Sequence, residues 1–355
     1  MPFRFPGSRV DNPLVVADHP VHICIVQMCV VVANLRSPMS DVQQLIQASR
    51  LYYELGETQS RVAALLGVTR PQVSRLLKRA RAEGIVEIRI VDEAAFASPA
   101  GDELRRRFGL SAVHLAPPLV GPEEISRRMV GRLAADVLRA AIRDGAIVGI
   151  GDGASISAMA DAVAADEPLH ETGASVVPLA GGYWFQGPAR EPFRRVADGI
   201  GGVPLGLLAP GLVDDPATKS SLCAHAGVRR ILDLWDRLEV AAFGIGRPIW
   251  TAAALGDEVA RELERAGAIG EVLVSPFDLE GRLVCDSLRD RTIAFDAREL
   301  ARIPVRIGVA SGAAKVRPIL GALRGGLLTT LVTDQRTAEA VVALDDEGRA
   351  AVASA

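Results

Sequence analysis

The sequence predicts two domains of different class: a small N-terminal winged helix-turn-helix, all-α apart from its wing, and a larger doubly wound α/β domain. Three observations predict them. Thr58 to Arg81 reads as two capped helices joined by a glycine turn, residues 85–91 alternate apolar and polar side chains, and beyond Ser111 short aliphatic runs alternate with amphipathic helices. A chain of 355 residues is long enough for about two domains.

The first domain is read over residues 40–92. Its first helix runs from Val42 to Leu55, with Leu45, Ile46, Tyr52 and Leu55 toward a core and Ser40-Asp41 ahead of it as a cap. Thr58 caps a second helix whose Val62, Leu65 and Leu66 share one side, and Gly67 ends it. Thr69 opens the third, with Pro71 in the first turn, where a missing N–H costs little, and Gln72 as the distal partner of a capping box. Val73, Leu76, Leu77 and Ala80 then form a helical stripe, while Arg70, Arg75, Lys78, Arg79 and Arg81 occupy the opposite face. Gly84 stops this helix, and IVEIRIV has the period of two of a half-buried strand, the wing. A basic face alone is equally what a solvated helix presents. Caps, turn, strand and first helix together are what a winged helix-turn-helix needs to close a small core.

Charge supports the division. Residues 41–90 hold eight Lys or Arg and five acids, net +3, in a chain of net charge −3, so the remainder carries −6. A locally basic module on a larger acidic body suits a DNA reader with a separate sensing domain better than a general polyanion binder. Cys24, Cys29, Cys223 and Cys285 have neither CxxC spacing nor nearby His, so no zinc site, other metal site or disulfide framework is expected, and a reduced cytoplasmic compartment is inferred. The apolar run Val21 to Ala33 is too short to span a bilayer. Residues 1–39 are expected to be a poorly ordered extension, with Met39 as an alternative start.

Residues 93–110, with Ser98 and Pro99, read as a linker that includes a short helix from Gly101 to Phe108. The runs AVHLA, AIVGI, ASVVPLA, VPLGLLA, EVAAFGIG, EVLVS, PVRIGVA and LLTTLVT alternate with helices across residues 111–345, the pattern of a parallel sheet buried on both faces. Residues 346–355 read as a frayed tail.

Ligands of open α/β sheets bind beyond the carboxyl ends of the strands. Four such ends carry suggestive residues. The turn Gly151, Asp152, Gly153, Ala154, Ser155 lets backbone amides approach an anion at a helix start, and Ser155 adds a hydroxyl; tight packing is the lesser alternative for the glycines. Gly181 and Gly182 end ASVVPLA, and Gly246 ends EVAAFGIG, where a plain turn serves as well. Lys315 stands in the first turn of a helix, where a cation is disfavoured unless an anion compensates it, unless it is simply a surface lysine. Asp278 and Glu271, beside EVLVS, are candidates for sugar hydroxyls, against plain solvation.

The stretch YYELGETQSRVAALLGVTRPQVSRLLKRARAEGIVEI resembles the DNA-binding segment of the SorC family of sugar-binding transcriptional regulators. ASGAAKVRPILGALRGGLLTTLVTDQRTA is similar to the end of that family's effector domain, and GIGDGASI to its first phosphate loop, so the resemblance runs from about residue 41 to 345. It implies a sensing domain similar to sugar-phosphate isomerases, usually assembled as a homotetramer. By position, the phosphate loop is Gly151 to Ser155, the second contact Gly181 and Gly182, and the phosphate lysine Lys315. Asp152 stands where the family commonly has an aromatic residue, leaving sugar, polyol and sugar phosphate all open.

The expectation is therefore a cytoplasmic regulator, not an enzyme and without cofactor. Arg70, Gln72, Arg75, Lys78, Arg79 and Arg81 would meet double-stranded DNA, and the crevice would bind a sugar or sugar-phosphate effector, in a homo-oligomer (dimer or tetramer) with no membrane partner. A sugar-phosphate isomerase or deaminase with an accessory DNA module is the alternative; such chemistry needs a placed base, and His114, His170 and His225 lie near none of the four ends in sequence. A nicotinamide-binding repressor, from the G-x-G-x-x-A match of Gly149, Gly151 and Ala154, lacks an acid at the end of the next strand.

Overall fold

Short caps and buried aliphatic stripes decide the local structure throughout. A computed structural model describes residues 40–86, 88, 98–118, 121–165, 171–182, 191–247 and 255–353. The expectations for residues 1–39, most of the wing at 85–91 and His170 fall outside these residues. The chain divides at Ile90 and Val91 into two compact units.

In the first unit, α1 (Asp41–Ser49) begins at a Ser40–Gln43 capping box and runs on into a π-helical turn, Arg50–Glu54. Thr58 accepts the Arg61 amide to cap α2 (Gln59–Leu66), which ends on Gly67 in the left-handed region at φ 68°. α3 (Arg70–Ala82) starts after Thr69, whose amide donates to Gln72 Oε1 at 2.7 Å. Ala48, Val62, Ala63, Val73 and Leu77 form the core, flanked by Leu51, Tyr52, Leu66 and Leu76. Leu45 is fully buried, whereas Ile46, Leu55 and Leu65, expected inside, are exposed. Three short helices have too few inner positions to bury every apolar residue of their stripes.

The short helix expected at 101–108 within the stretch 93–110 is α4 (Pro99–Phe108), with Pro99 in its first turn and Leu104 fully buried in the α/β core. Then come β1 (Ala112–Ala116), α5 (Glu123–Ala141), β2 (Ile147–Ile150), α6 (Ala154–Ala164), β3 (Ser175–Pro178), α7 (Pro192–Gly199), β4 (Val203–Pro204), α8 (Pro216–Ala224), α9 (Ala226–Trp235) and β5 (Val240–Gly244). The remainder is α10 (Asp257–Arg265), β6 (Gly270–Val272), β7 (Ser275–Phe277), α11 (Asp286–Arg289), β8 (Val305–Val309), α12 (Val316–Arg324), β9 (Thr330–Asp334) and α13 (Gln335–Ala353).

Seven strands pair in parallel in the order β1-β9-β8-β5-β2-β3-β4. One core lies among α5, α6, α7 and the sheet, around Val130, Leu138, Ile156 and Phe193; the other among α4, α9, α12, α13 and the sheet, around Leu104, Ile231, Ile319 and Val341. This is the doubly wound arrangement. The chain leaves β2 toward β3 and returns to β5 on its other side, so the crevice of a topological switch opens at the ends of β2 and β5.

Two expectations change. EVLVS is not a strand of the parallel sheet: it folds into the antiparallel β6–β7 hairpin, reversed at Leu273 and Val274 with φ of 49° and 63°. Positive φ at two branched residues is rare, and period alone could not reveal it. Nor does the chain fray at 346, because α13 continues to Ala353. Arg107 of α4 pairs with both Asp346 (2.6 Å) and the buried Asp345 (3.1 Å).

Asp345 also accepts from Arg324 (3.0 Å) and Arg349 (2.8 Å). Burial pushes its pKa up, but hydrogen bonds from Arg324, Arg349 and Arg107 outweigh this and hold the carboxyl below its usual range. Asp345→Asn is expected to lose about 3 kcal/mol by urea unfolding at neutral pH, because three guanidinium groups lose their shared charge. A carboxyl with a lowered folded pKa stabilises above its unfolded value, so the gap between wild type and variant should close as pH falls through the carboxylate range.

Candidate functional sites

The strand ends carry two adjoining groups of residues. At the ends of β2 and β3 a small cleft is lined by Gly151, Asp152, Gly181, Gly182, Glu191 and Leu207, which joins the first two expected loops. α6 begins at Gly153 (φ 110°, ψ 169°) with no side-chain cap, so Ala154 and Ser155 form an uncapped first turn, the kind of helix start that accepts an anion. The amides of Gly151, Gly181 and Gly182 are already used: they donate to Ala242, Ile293 and Ala209. At Gly181 a Cβ would lie 2.6 Å from the Ala209 carbonyl oxygen, so close packing requires that glycine.

The second group surrounds Lys315, after β8. Burial pulls its pKa below the ordinary lysine value; Glu271 and Glu123 act in the other direction, and Arg247 and Arg127 reinforce the fall. A half-buried ammonium with two carboxylates and two further cations around it suits an anionic ligand. Glu271 is held by β5: its amide and carbonyl bridge Gly246 at 3.0 and 2.9 Å, and its side chain covers that glycine. The hairpin turn connects the two groups, since Leu273 Cδ2 lies 3.2 Å from the Cβ position of Gly151.

The turn before α12 repeats the geometry before α6. Gly312 has φ 101° and ψ 158°, a region essentially restricted to glycine. Its amide donates to Thr337 Oγ1 (2.9 Å) and Asp334 Oδ2 (3.3 Å), while Asp334 also caps α13 through the Thr337 amide. A Cβ on Gly312 would stand 2.7 Å from Glu123 Oε1.

Asp278 is not among these groups. Its Oδ1 accepts from the amides of Glu280 and Arg282, its Oδ2 pairs with Arg282 Nε at 2.8 Å, and its turn packs on Gly321 and Gly325 in the later part of α12. The acid beside EVLVS that reaches the crevice is Glu271. Glu123, Arg127 and Arg247 carry no local motif and were missed. The two described histidines are used elsewhere: His114 lies half-buried on β1, where burial lowers its pKa, and His225 Nδ1 accepts the Gly227 amide to cap α9. A shallow groove over α8 and α9, lined by Arg229, Arg230, Asp233 and Arg237, has no glycine turn and is open to solvent.

On α3 all six candidates are exposed, but they are not equivalent. Gln72 Oε1 is committed to Thr69, as a capping box requires. Arg79 pairs with Asp41 at 2.6 Å and with Glu83, which raises its pKa and fastens α3 to the start of α1. Arg75 Nε makes a long 3.4 Å bond to the Pro71 carbonyl. Arg70, Lys78 and Arg81 make no ion pair among the described residues.

Comparison with known proteins follows the same division. Residues 92–343 match a sugar-binding domain family, and residues 39–87 match a homeodomain-like domain. The deoxyribonucleoside regulator of Bacillus subtilis (strain 168) is 30% identical over 309 residues, covering 84% of this chain and 97% of that protein. The sorbitol operon regulator of Klebsiella pneumoniae is 29% identical over 311 residues, covering 84% and 97%. The crystal structure of the full-length Klebsiella regulator SorC superposes with a TM-score of 0.69 at 27% identity, over 85% of this chain and 99% of that one.

Strain and contact at the two glycine turns are separable. Gly153→Ala and Gly312→Ala should each cost about 1–3 kcal/mol through backbone strain alone. Nothing lies within 4 Å of a Cβ on Gly153, so Gly312→Ala should lose more in urea unfolding, and adding Glu123→Ala should recover the excess.

Proposed function

The chain belongs to the SorC family of sugar-binding transcriptional regulators, and from that premise we propose that its grip on a DNA operator is controlled by a small sugar or sugar phosphate held at the strand ends. One observation carries the reading. A capped helix with Arg70, Arg75 and Lys78 exposed occurs in the same chain as a crevice organised around a half-buried lysine. Two relatives named for deoxyribonucleoside and sorbitol regulation support an effector of sugar or polyol size.

Arg75 and Arg70 are the side chains offered to base edges, and Lys78 and Arg81 those offered to phosphates. Gln72 and Arg79 act mainly by holding the unit together, because their polar atoms already have partners. In the crevice Lys315 receives the anionic group of the effector, and the uncapped turn Gly153, Ala154, Ser155 takes a second polar group. Asp152 and Glu191 favour hydroxyls in the cleft between β2 and β3. The crevice serves as a sensor rather than an active site, since among the described residues no histidine stands ready there as a base. The protein works in the cytoplasm as a homo-oligomer, dimer or tetramer. Effector binding favours one arrangement of the oligomer and so changes the spacing of paired recognition helices, which must match half-sites about 34 Å apart or a multiple of that.

Arg75→Ala is expected to weaken binding to the protein's own promoter DNA by about 1–3 kcal/mol in a gel-shift titration, with an unchanged circular dichroism spectrum. Lys78→Ala should reduce the slope of log affinity against log salt by about 1. Arg79→Ala should reduce it by less, because that charge is already shared with Asp41 and Glu83.

Lys315→Met should abolish stabilisation by sugar phosphates while raising the melting temperature of the unliganded protein. The sign follows from the lowered pKa: folding disfavours the ionised lysine, so the wild type gains stability as pH rises toward the ordinary lysine value, and the variant does not.

A further inference from the structure

Glu123 is the first residue of α5, yet its carboxylate lies against a different element. Oε1 is 2.7 Å and the carboxyl carbon 3.3 Å from where a Cβ of Gly312 would be. It therefore covers the turn that leads through Ala313–Lys315 into α12. The charge of the same carboxylate favours the Lys315 ammonium, whereas those of Arg127 and Arg247 disfavour it. Glu123 itself is exposed and makes no ion pair or side-chain hydrogen bond among the described residues, so little holds it there beyond the charge of Lys315 and the glycine surface. By contrast, Asp334 in the same neighbourhood is buried and fully engaged by Thr337 and Gly312.

We propose that Glu123 is an internal competitor for the anionic group of the effector. In the unliganded protein its carboxylate stands against Gly312, where its charge acts on Lys315 without forming an ion pair, and a phosphate entering that position must expel it. Two like charges cannot share one ammonium without loss, so the carboxylate sets a threshold that only a strongly anionic ligand exceeds. Expulsion also frees the first turn of α5, whose body packs along α6, the helix that begins at the Gly153 turn. Ligand charge at one strand end is thereby communicated to the helix pair on one face of the sheet. The inference rests on the crevice being the effector site, and its test separates the two claims.

Full-length wild type, Glu123→Gln and Glu123→Ala are titrated with inorganic phosphate, and in a second arm with ribose 5-phosphate, followed by thermal shift and calorimetry. Both variants should bind inorganic phosphate about tenfold more tightly than wild type, a difference of about 1.4 kcal/mol. Ribose 5-phosphate should show a similar gain if the phosphate group carries recognition. Equal or weaker phosphate affinity in the variants, or no phosphate binding by any of the three proteins, overturns the proposal. If the gain appears while promoter binding ignores every sugar tested, the competitor stands and the sensor reading falls. If sugars control promoter binding and the gain is absent, the reverse holds.

Discussion

A half-buried lysine ammonium at the end of a parallel sheet is the constraint that organises the α/β unit. Burial disfavours the charge of Lys315, and two carboxylates from distant parts of the chain offset that cost. Glu271 arrives on a hairpin whose turn holds Leu273 and Val274 at positive φ, and whose edge bridges Gly246. Glu123 arrives on the first turn of α5. Neither would be needed by a sheet that only had to bury its two faces. Strain in the turn and a partly compensated cation occur together at the topological switch, where the framework around them is rigid enough to sustain both.

The first unit shows a different compromise. With so few fully buried side chains it depends on its helix ends, and long polar side chains of α3 are used for capping and bracing. Gln72 closes the box at Thr69, and Arg79 joins the end of α3 to Asp41. What remains for a polyanion is Arg70, Lys78 and Arg81, which make no ion pair among the described residues, together with Arg75. Division of labour along one helix lets a small core coexist with a strongly basic face.

Much of this was legible. Capping signatures at Ser40, Thr58 and Thr69 are local, so sequence spacing reads them directly, and the short apolar runs contain six of the seven parallel strands to within one residue, the seventh shrinking to two residues at Val203–Pro204. Glycine turns were legible as turns, but their reasons were not: Gly181 is glycine because the chain at Ala209 and Pro210 presses on it, a contact between residues far apart in sequence. The different surroundings of Asp278 and Glu271 were hidden for the same cause. Glu271 lies within the hairpin and Asp278 just past it, and only the pairing with Gly246 sets Glu271 beside the end of β5 while Asp278 is tied to Arg282. The short helix at 101–108 was legible as well, and the structure starts it at Pro99; its place in the α/β core was not, because the burial of Leu104 and the pairing of Arg107 with Asp345 and Asp346 involve residues far along the chain.

Control by an effector requires ligand and lysine to meet at the strand ends. Amide hydrogen exchange of the full chain, with and without a saturating pentose or hexose phosphate that raises its melting temperature, tests this most directly. Slower exchange concentrated in residues 153–157 and 312–317 is the predicted result. Protection confined to other parts of the α/β unit, with those two turns unchanged, would contradict it.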